Sequence, residues 1–85
     1  MIEKVGYGSI DLDKAKRKYE VCGDEIRHSF GGFACQWQGD SLFDGYGMRC
    51  LGSYDSGYLN LSNGNRYYGG SKNELALVAA YDCDW

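Results

Sequence analysis

The chain has 85 residues, with thirteen glycines, no proline, eight tyrosines, four cysteines and a formal charge of −3. That length holds one small domain, 1–85, and no second core. Lack of proline excludes a collagen-like chain, the 15% aromatic content excludes a disordered one, and no apolar run approaches the roughly 18 residues of a membrane span.

Met1–Gly6 has no apolar signal core, so the expectation is a cytoplasmic protein whose thiols stay reduced. The basic stretch Lys14–Lys18 follows Asp11, and a short helix over 11–17 is compatible with it. Two glycine turns come next. Gly23-Asp24 separates Lys18–Cys22 from Glu25–Phe30, and Gly31-Gly32 separates that run from Phe33–Gln38. Pairing across the first turn sets Val21 opposite Ile26, Glu20 opposite Arg27 and Tyr19 opposite His28. Pairing across the second sets Phe30 opposite Phe33, His28 opposite Cys35 and Ile26 opposite Trp37. One face then collects Tyr19, Val21, Ile26, His28, Phe30, Phe33, Cys35 and Trp37, while the other is mostly polar. That division fits a half-buried antiparallel meander.

Further on, Gly47–Leu51 is a candidate strand, and Tyr58–Leu61 and Asn65–Tyr68 flank the hairpin signal Asn63-Gly64. The last segment carries two signals. Ser71–Glu74 reads as a capping box opening a helix over 72–80. Alternation of Leu75, Leu77, Ala79, Tyr81, Cys83 and Trp85 reads as a strand, which is the expectation for 79–85. The fold class expected is mainly β, or β-rich α+β: a small antiparallel meander with tight glycine turns. A shift of 39 residues also aligns Gly6-Tyr7-Gly8 with Gly45-Tyr46-Gly47, along with Leu12 and Leu51, as a weak duplication of 5–37 in 44–85 would.

Catalytic chemistry is sparsely represented. His28 beside Cys35 is the seed of a thiol nucleophile, but a lone histidine on an apolar strand face usually packs. Asp11 with Asp13, and Asp82 with Asp84, are expected on solvated faces rather than as an acid–base pair. Cys22, Cys35, Cys50 and Cys83 contain no C-x-x-C pair, and Asp40–Gly45 and Asp55–Gly57 lack calcium-loop spacing, so neither a metal nor a cofactor is expected. The negative charge argues against direct nucleic-acid binding despite the basic stretch. Ser9–Leu12 and the four cysteines look superficially similar to cyanovirin-type lectins. The cysteine order and length depart from that pattern, and no residue role is carried over.

Tyrosine is in surplus over what so small a core can bury. Beside Gly, Ser and Asn, exposed tyrosines make adaptable contact surfaces. The function expected is a non-enzymatic protein-binding module, an inhibitor or adaptor of another protein. A phage-encoded anti-CRISPR-type inhibitor acting on a nucleic-acid-processing or defence complex is the example. Tyr54, Tyr58, Tyr67, Tyr68, Asp82 and Asp84 are its expected contact residues. The alternative is a disulfide-linked extracellular carbohydrate-binding module.

Overall fold

A computed structural model describes residues 1–85. The chain forms β1 (Ile2–Lys4), β2 (Gly8–Ile10), α1 (Leu12–Lys18), β3 (Tyr19–Cys22), β4 (Glu25–His28), β5 (Phe33–Gln38), β6 (Ser41–Asp44), β7 (Cys50–Asp55), β8 (Tyr58–Leu61), β9 (Arg66–Tyr68) and α2 (Lys72–Cys83). All nine strands join one antiparallel sheet in the order β2-β1-β9-β8-β7-β6-β5-β4-β3. Strands β3 to β9 are the expected meander, and the β1–β2 hairpin is added to its far side through β9. Gly6-Tyr7-Gly8 and Gly45-Tyr46-Gly47 each lie at a turn between antiparallel neighbours. Beyond those turns Leu12 opens a helix, whereas Leu51 lies in a strand.

The sheet is rolled. A flat nine-stranded sheet would be roughly 38 Å wide, yet the molecule measures 30 × 24 × 19 Å. The two edge strands, β2 and β3, are joined by α1 alone, and a helix of seven residues reaches only about 10 Å. Helix α2 fills the hollow and touches α1 and strands β3, β4, β5, β8 and β9. Its residues Leu75, Ala76, Leu77, Val78, Ala79 and Ala80 are consecutive and all buried, so every side of the helix is enclosed. The small residue Ala15 of α1 is also fully buried and lets the two helices meet.

Three sequence expectations need correction. The strand over 79–85 is absent, because α2 runs through Cys83 from a complete Ser71/Glu74 capping box. An all-apolar helix shows alternation as readily as a strand does, and the cap is the signal that decides. The candidate strand Gly47–Leu51 begins only at Cys50 and continues to Asp55.

The second glycine hairpin has a different register. The first is as expected, with Val21 opposite Ile26 and Tyr19 opposite His28. In the second, Ile26 faces Cys35 and Arg27 faces Phe33 across a bulge. The second turn closes on His28, whose N–H donates to the Gly32 carbonyl at 3.0 Å and whose carbonyl accepts from the Gly31 N–H at 2.9 Å, so Phe30 lies within the turn rather than opposite Phe33. Ser29 continues the register of the first hairpin, its N–H donating to the Lys18 carbonyl at 2.9 Å. Its hydroxyl donates to the Lys18 and Arg17 carbonyls at 2.9 and 3.0 Å. These carbonyls end α1 and lack partners within the helix. Of the expected apolar face, Tyr19, Ile26, Cys35 and Trp37 are buried, whereas Val21, Phe30 and Phe33 are exposed.

Candidate functional site

Alternate hairpin loops share the end of the rolled sheet at which α2 terminates. Three devices shape this end. The first is the stop of α2. Asp84 takes the left-handed conformation, with φ 56° and ψ 46°, and the Trp85 N–H bonds back to the Ala80 carbonyl at 2.9 Å. This folds the Trp85 side chain against the sheet's end, where it packs on the core. The second is the Ser29 clamp on α1.

The third is the loop Gly45–Arg49, held at five points. Asp44 Oδ1 accepts from the N–H groups of Met48 at 3.0 Å and Tyr46 at 3.2 Å. The Gly47 N–H donates to the Asp44 carbonyl at 3.0 Å. The side-chain amides of Gln36 and Gln38 donate to the Gly45 and Gly47 carbonyls, each at 3.3 Å. Gly45 lies so close to Phe33 that a Cβ there would stand 2.7 Å from the Phe33 carbonyl oxygen. The Met48 N–H, with those of Arg49, Tyr46 and Gly47, holds the Asp44 carboxyl below its ordinary pKa. This rigid loop carries two large apolar side chains almost wholly in water: Tyr46 is 88% exposed and Met48 is 85% exposed.

Trp85 divides the end into two clefts. One, of about 470 Å³, has Phe33, Ala34, Tyr46, Leu51 and Trp85 as its apolar lining and Arg49 and Asn63 among its polar groups. The other, of about 240 Å³, is lined by Arg17, Lys18, Tyr19, His28, Phe30 and Asp84. His28 sits between the Tyr19 and Phe30 rings, with centroids 5.1 and 5.0 Å away. Phe30, 88% exposed, is the outermost side chain of that stack.

The six residues expected to share a contact surface are divided by the rolled sheet. Tyr58 and Tyr68 lie opposite each other on the outer face, their rings 5.2 Å apart, with the Arg66 guanidinium 4.7 Å from the Tyr58 ring and Arg66 Nε bonded to Asn60 at 2.6 Å. Tyr54 packs inward, edge-on to Trp37. Tyr67 is fully buried and donates its hydroxyl at 2.6 Å to the half-buried Asp82, so both are engaged within the fold. Asp84 lines the smaller cleft. Of the six, Tyr68 and Asp84 are exposed, and Tyr58 is half-buried beside Tyr68.

Other candidates resolve as follows. His28 and Cys35 do not face each other: His28 is opposite Tyr19, and Cys35 is opposite Ile26 and Asp44. Burial pushes the Cys35 thiol up to about 12, far from a nucleophile's range. Asp11 caps α1 by accepting from the N–H groups of Asp13 and Lys14. All four cysteines are free thiols. No three His, Cys, Asp or Glu side chains gather as a metal set would, and neither helix is long and apolar enough to cross a membrane.

Sequence reasoning passed over Tyr46, Met48, Arg49 and Trp85. One signal was present: Asp44 ahead of Gly45 and Gly47 is an Asx-turn pattern. No protein family, curated protein or solved structure matches the chain.

Proposed function

We propose that the chain is a non-enzymatic protein-binding module that docks through the end of the rolled sheet and inhibits or adapts its partner. The observation that carries this is the braced loop with Tyr46 and Met48 at its tip. Exposing two large apolar side chains on a rigid support is unfavourable for the free protein, and a partner's apolar surface would remove that cost. Because the loop is already ordered, little conformational entropy is lost on docking. Phe30 and Phe33 add apolar area at the same end. The sealed Cys35 and its separation from His28 favour binding over thiol chemistry. A protein of a defence or nucleic-acid-processing complex, as for an anti-CRISPR-type inhibitor, is the partner class this reading names first.

Affinity capture from a host lysate tests it, using the wild-type chain and a Tyr46→Ala/Met48→Ala double variant. The wild type should retain a discrete partner that the variant loses, with the melting temperature unchanged. Equal capture by both would remove this surface from consideration.

A second reading, sugar binding, is favoured by one observation: the exposed Tyr68 ring, beside the half-buried Tyr58 on the outer face, offers a surface on which a sugar ring can stack. A glycan array probed with wild type and Tyr58→Ala distinguishes the two.

A further inference from the structure

We infer that the larger cleft beside Trp85 receives an acidic peptide segment of the partner, its one large apolar side chain seated on Trp85 and its carboxylates held by Arg49 and Arg17. This rests on the protein-binding reading above and names the chemistry of the partner.

The arginines carry the argument. The chain has four. Arg27 pairs with Glu25 at 2.7 Å and covers the Phe33 ring. Arg66 bonds Asn60 and covers the Tyr58 ring. The other two, Arg17 and Arg49, have neither an ion pair nor a side-chain hydrogen bond, since the ion pairs are Lys4–Asp82, Arg27–Glu25 and Lys72–Asp40. These two line the two clefts on either side of Trp85. In a chain of net charge −3, two unpaired guanidinium groups flanking one indole are a matched set for carboxylates on either side of an apolar group. A planar guanidinium favours carboxylates by offering paired donors.

The cleft fits such an occupant. Its volume of about 470 Å³ is within the usual range for a bound group. Its apolar lining is Phe33, Ala34, Tyr46, Leu51 and Trp85, and Arg49 is its one basic group. Asp44, the carboxylate in the lining, has one oxygen engaged by the Tyr46 and Met48 amides. Asp84 stands beside Arg17 in the neighbouring cleft. Both carboxylates disfavour the dense negative charge of a nucleic acid more than one or two carboxylates spaced by an apolar residue.

Two probes test this by ¹⁵N NMR titration of the intact chain: an acetylated peptide with the core Gly-Asp-Phe-Asp-Gly, and its counterpart with lysines at the acidic positions. The acidic peptide should shift the Trp85 indole and the Ala34 and Leu51 amides. Its affinity should fall about tenfold in Arg49→Glu, and again in Arg17→Glu, and should weaken with added salt. The lysine peptide should leave these signals unmoved. Equal response to both peptides, insensitivity to Arg49→Glu, or stronger displacement of the same signals by a single-stranded oligonucleotide would each overturn the inference. Partner capture that depends on Tyr46 and Met48, together with no response to the acidic peptide, would overturn it while leaving the protein-binding reading standing.

Discussion

The Tyr67 hydroxyl donates to Asp82 at 2.6 Å, and Lys4 Nζ meets the same carboxylate oxygen at 2.9 Å. One oxygen thus joins β9, β1 and the last turn of α2, the three elements that hold the N-terminal hairpin to the meander. Burial alone would raise the Asp82 carboxyl, but Lys4 and Tyr67 outweigh it and hold it below its ordinary value. The hydrogen bond to Asp82 raises Lys4, and burial followed by the Asp82 bond raises Tyr67. A lowered Asp82 contributes stability above its unfolded value of 3.8, which is lost as pH falls through the folded value. A raised Lys4 contributes below 10.5, and that part is lost as pH rises through the folded value. Tyr67→Phe should cost about 2 kcal/mol in urea unfolding at pH 7, as the loss of a hydrogen bond to a charged group does. Asp82→Asn should remove much of the fall in stability below pH ~4. An unchanged urea midpoint in Tyr67→Phe would show that the bond carries no net stability.

Sequence and structure agree where the decisive interactions are local. Gly23-Asp24 brings two amphipathic arms together, and every pair across it follows from alternation. The next hairpin departs because its turn closes between His28 and Gly32, which leaves Phe30 in the turn and sets Phe33 opposite Arg27. Ser56 and Gly57, at φ 51° and 86°, form a two-residue hairpin turn that was legible as Ser-Gly but was weighed only as a calcium loop. Tyr67 and Tyr68 do point apart, as adjacent strand residues must, with the first buried. Nothing local says that β1 will pair with β9, nor that Arg17 and Arg49 will lie in clefts on either side of Trp85. They come from the end of α1, a loop and the residues after α2, and only the rolling of the sheet brings them to one end.

Cys35 should contribute to the loss of stability at alkaline pH. In the unfolded chain its thiol ionises near 9.0, whereas in the folded chain burial delays this to about 12. Its contribution is therefore present below pH 9 and lost as pH rises towards 12, at up to about 1.4 kcal/mol per pH unit. Tyr19 and Tyr67, both raised chiefly by burial, add to the loss above pH 10. Urea midpoints measured from pH 7 to 11 should decline from about pH 9. Cys35→Ala should start lower, through lost packing, yet decline less between pH 9 and 10. Parallel curves for the two proteins would rule out Cys35 as the source.

Two glycines separate space from conformation. Gly52 has no positive φ, but a Cβ there would run into the Asn60 carbonyl oxygen and stand 2.9 Å from Leu61 Cα. Gly57 has open space around it but sits at φ +86°. Gly52→Ala should cost about 3 kcal/mol through overpacking between β7 and β8, and Gly57→Ala only about 1 kcal/mol through strain. Chemical denaturation of the two variants checks the order. A reversal would mean that the backbones of β7 and β8 part easily.

The Asp44 loop gives the prediction closest to function. Asp44 holds the Tyr46 and Met48 amides most strongly while ionised, and its folded pKa lies below the ordinary 3.8. By linkage, the extra stability from the charge is complete above that ordinary value and is lost as pH falls through the folded one, leaving the weaker bonds that a neutral oxygen makes. At neutral pH, Asp44→Ala removes the acceptor, whereas Asp44→Asn keeps an oxygen in place. ¹⁵N relaxation should show Tyr46 and Met48 amides as rigid as the strands in wild type and Asp44→Asn, and mobile in Asp44→Ala, with little change in melting temperature. Partner affinity should fall in the same order, because a loop that must be ordered on docking binds less tightly than one already ordered. If Asp44→Ala loosens the loop and affinity does not change, pre-organisation of Tyr46 and Met48 is not what the loop contributes to binding.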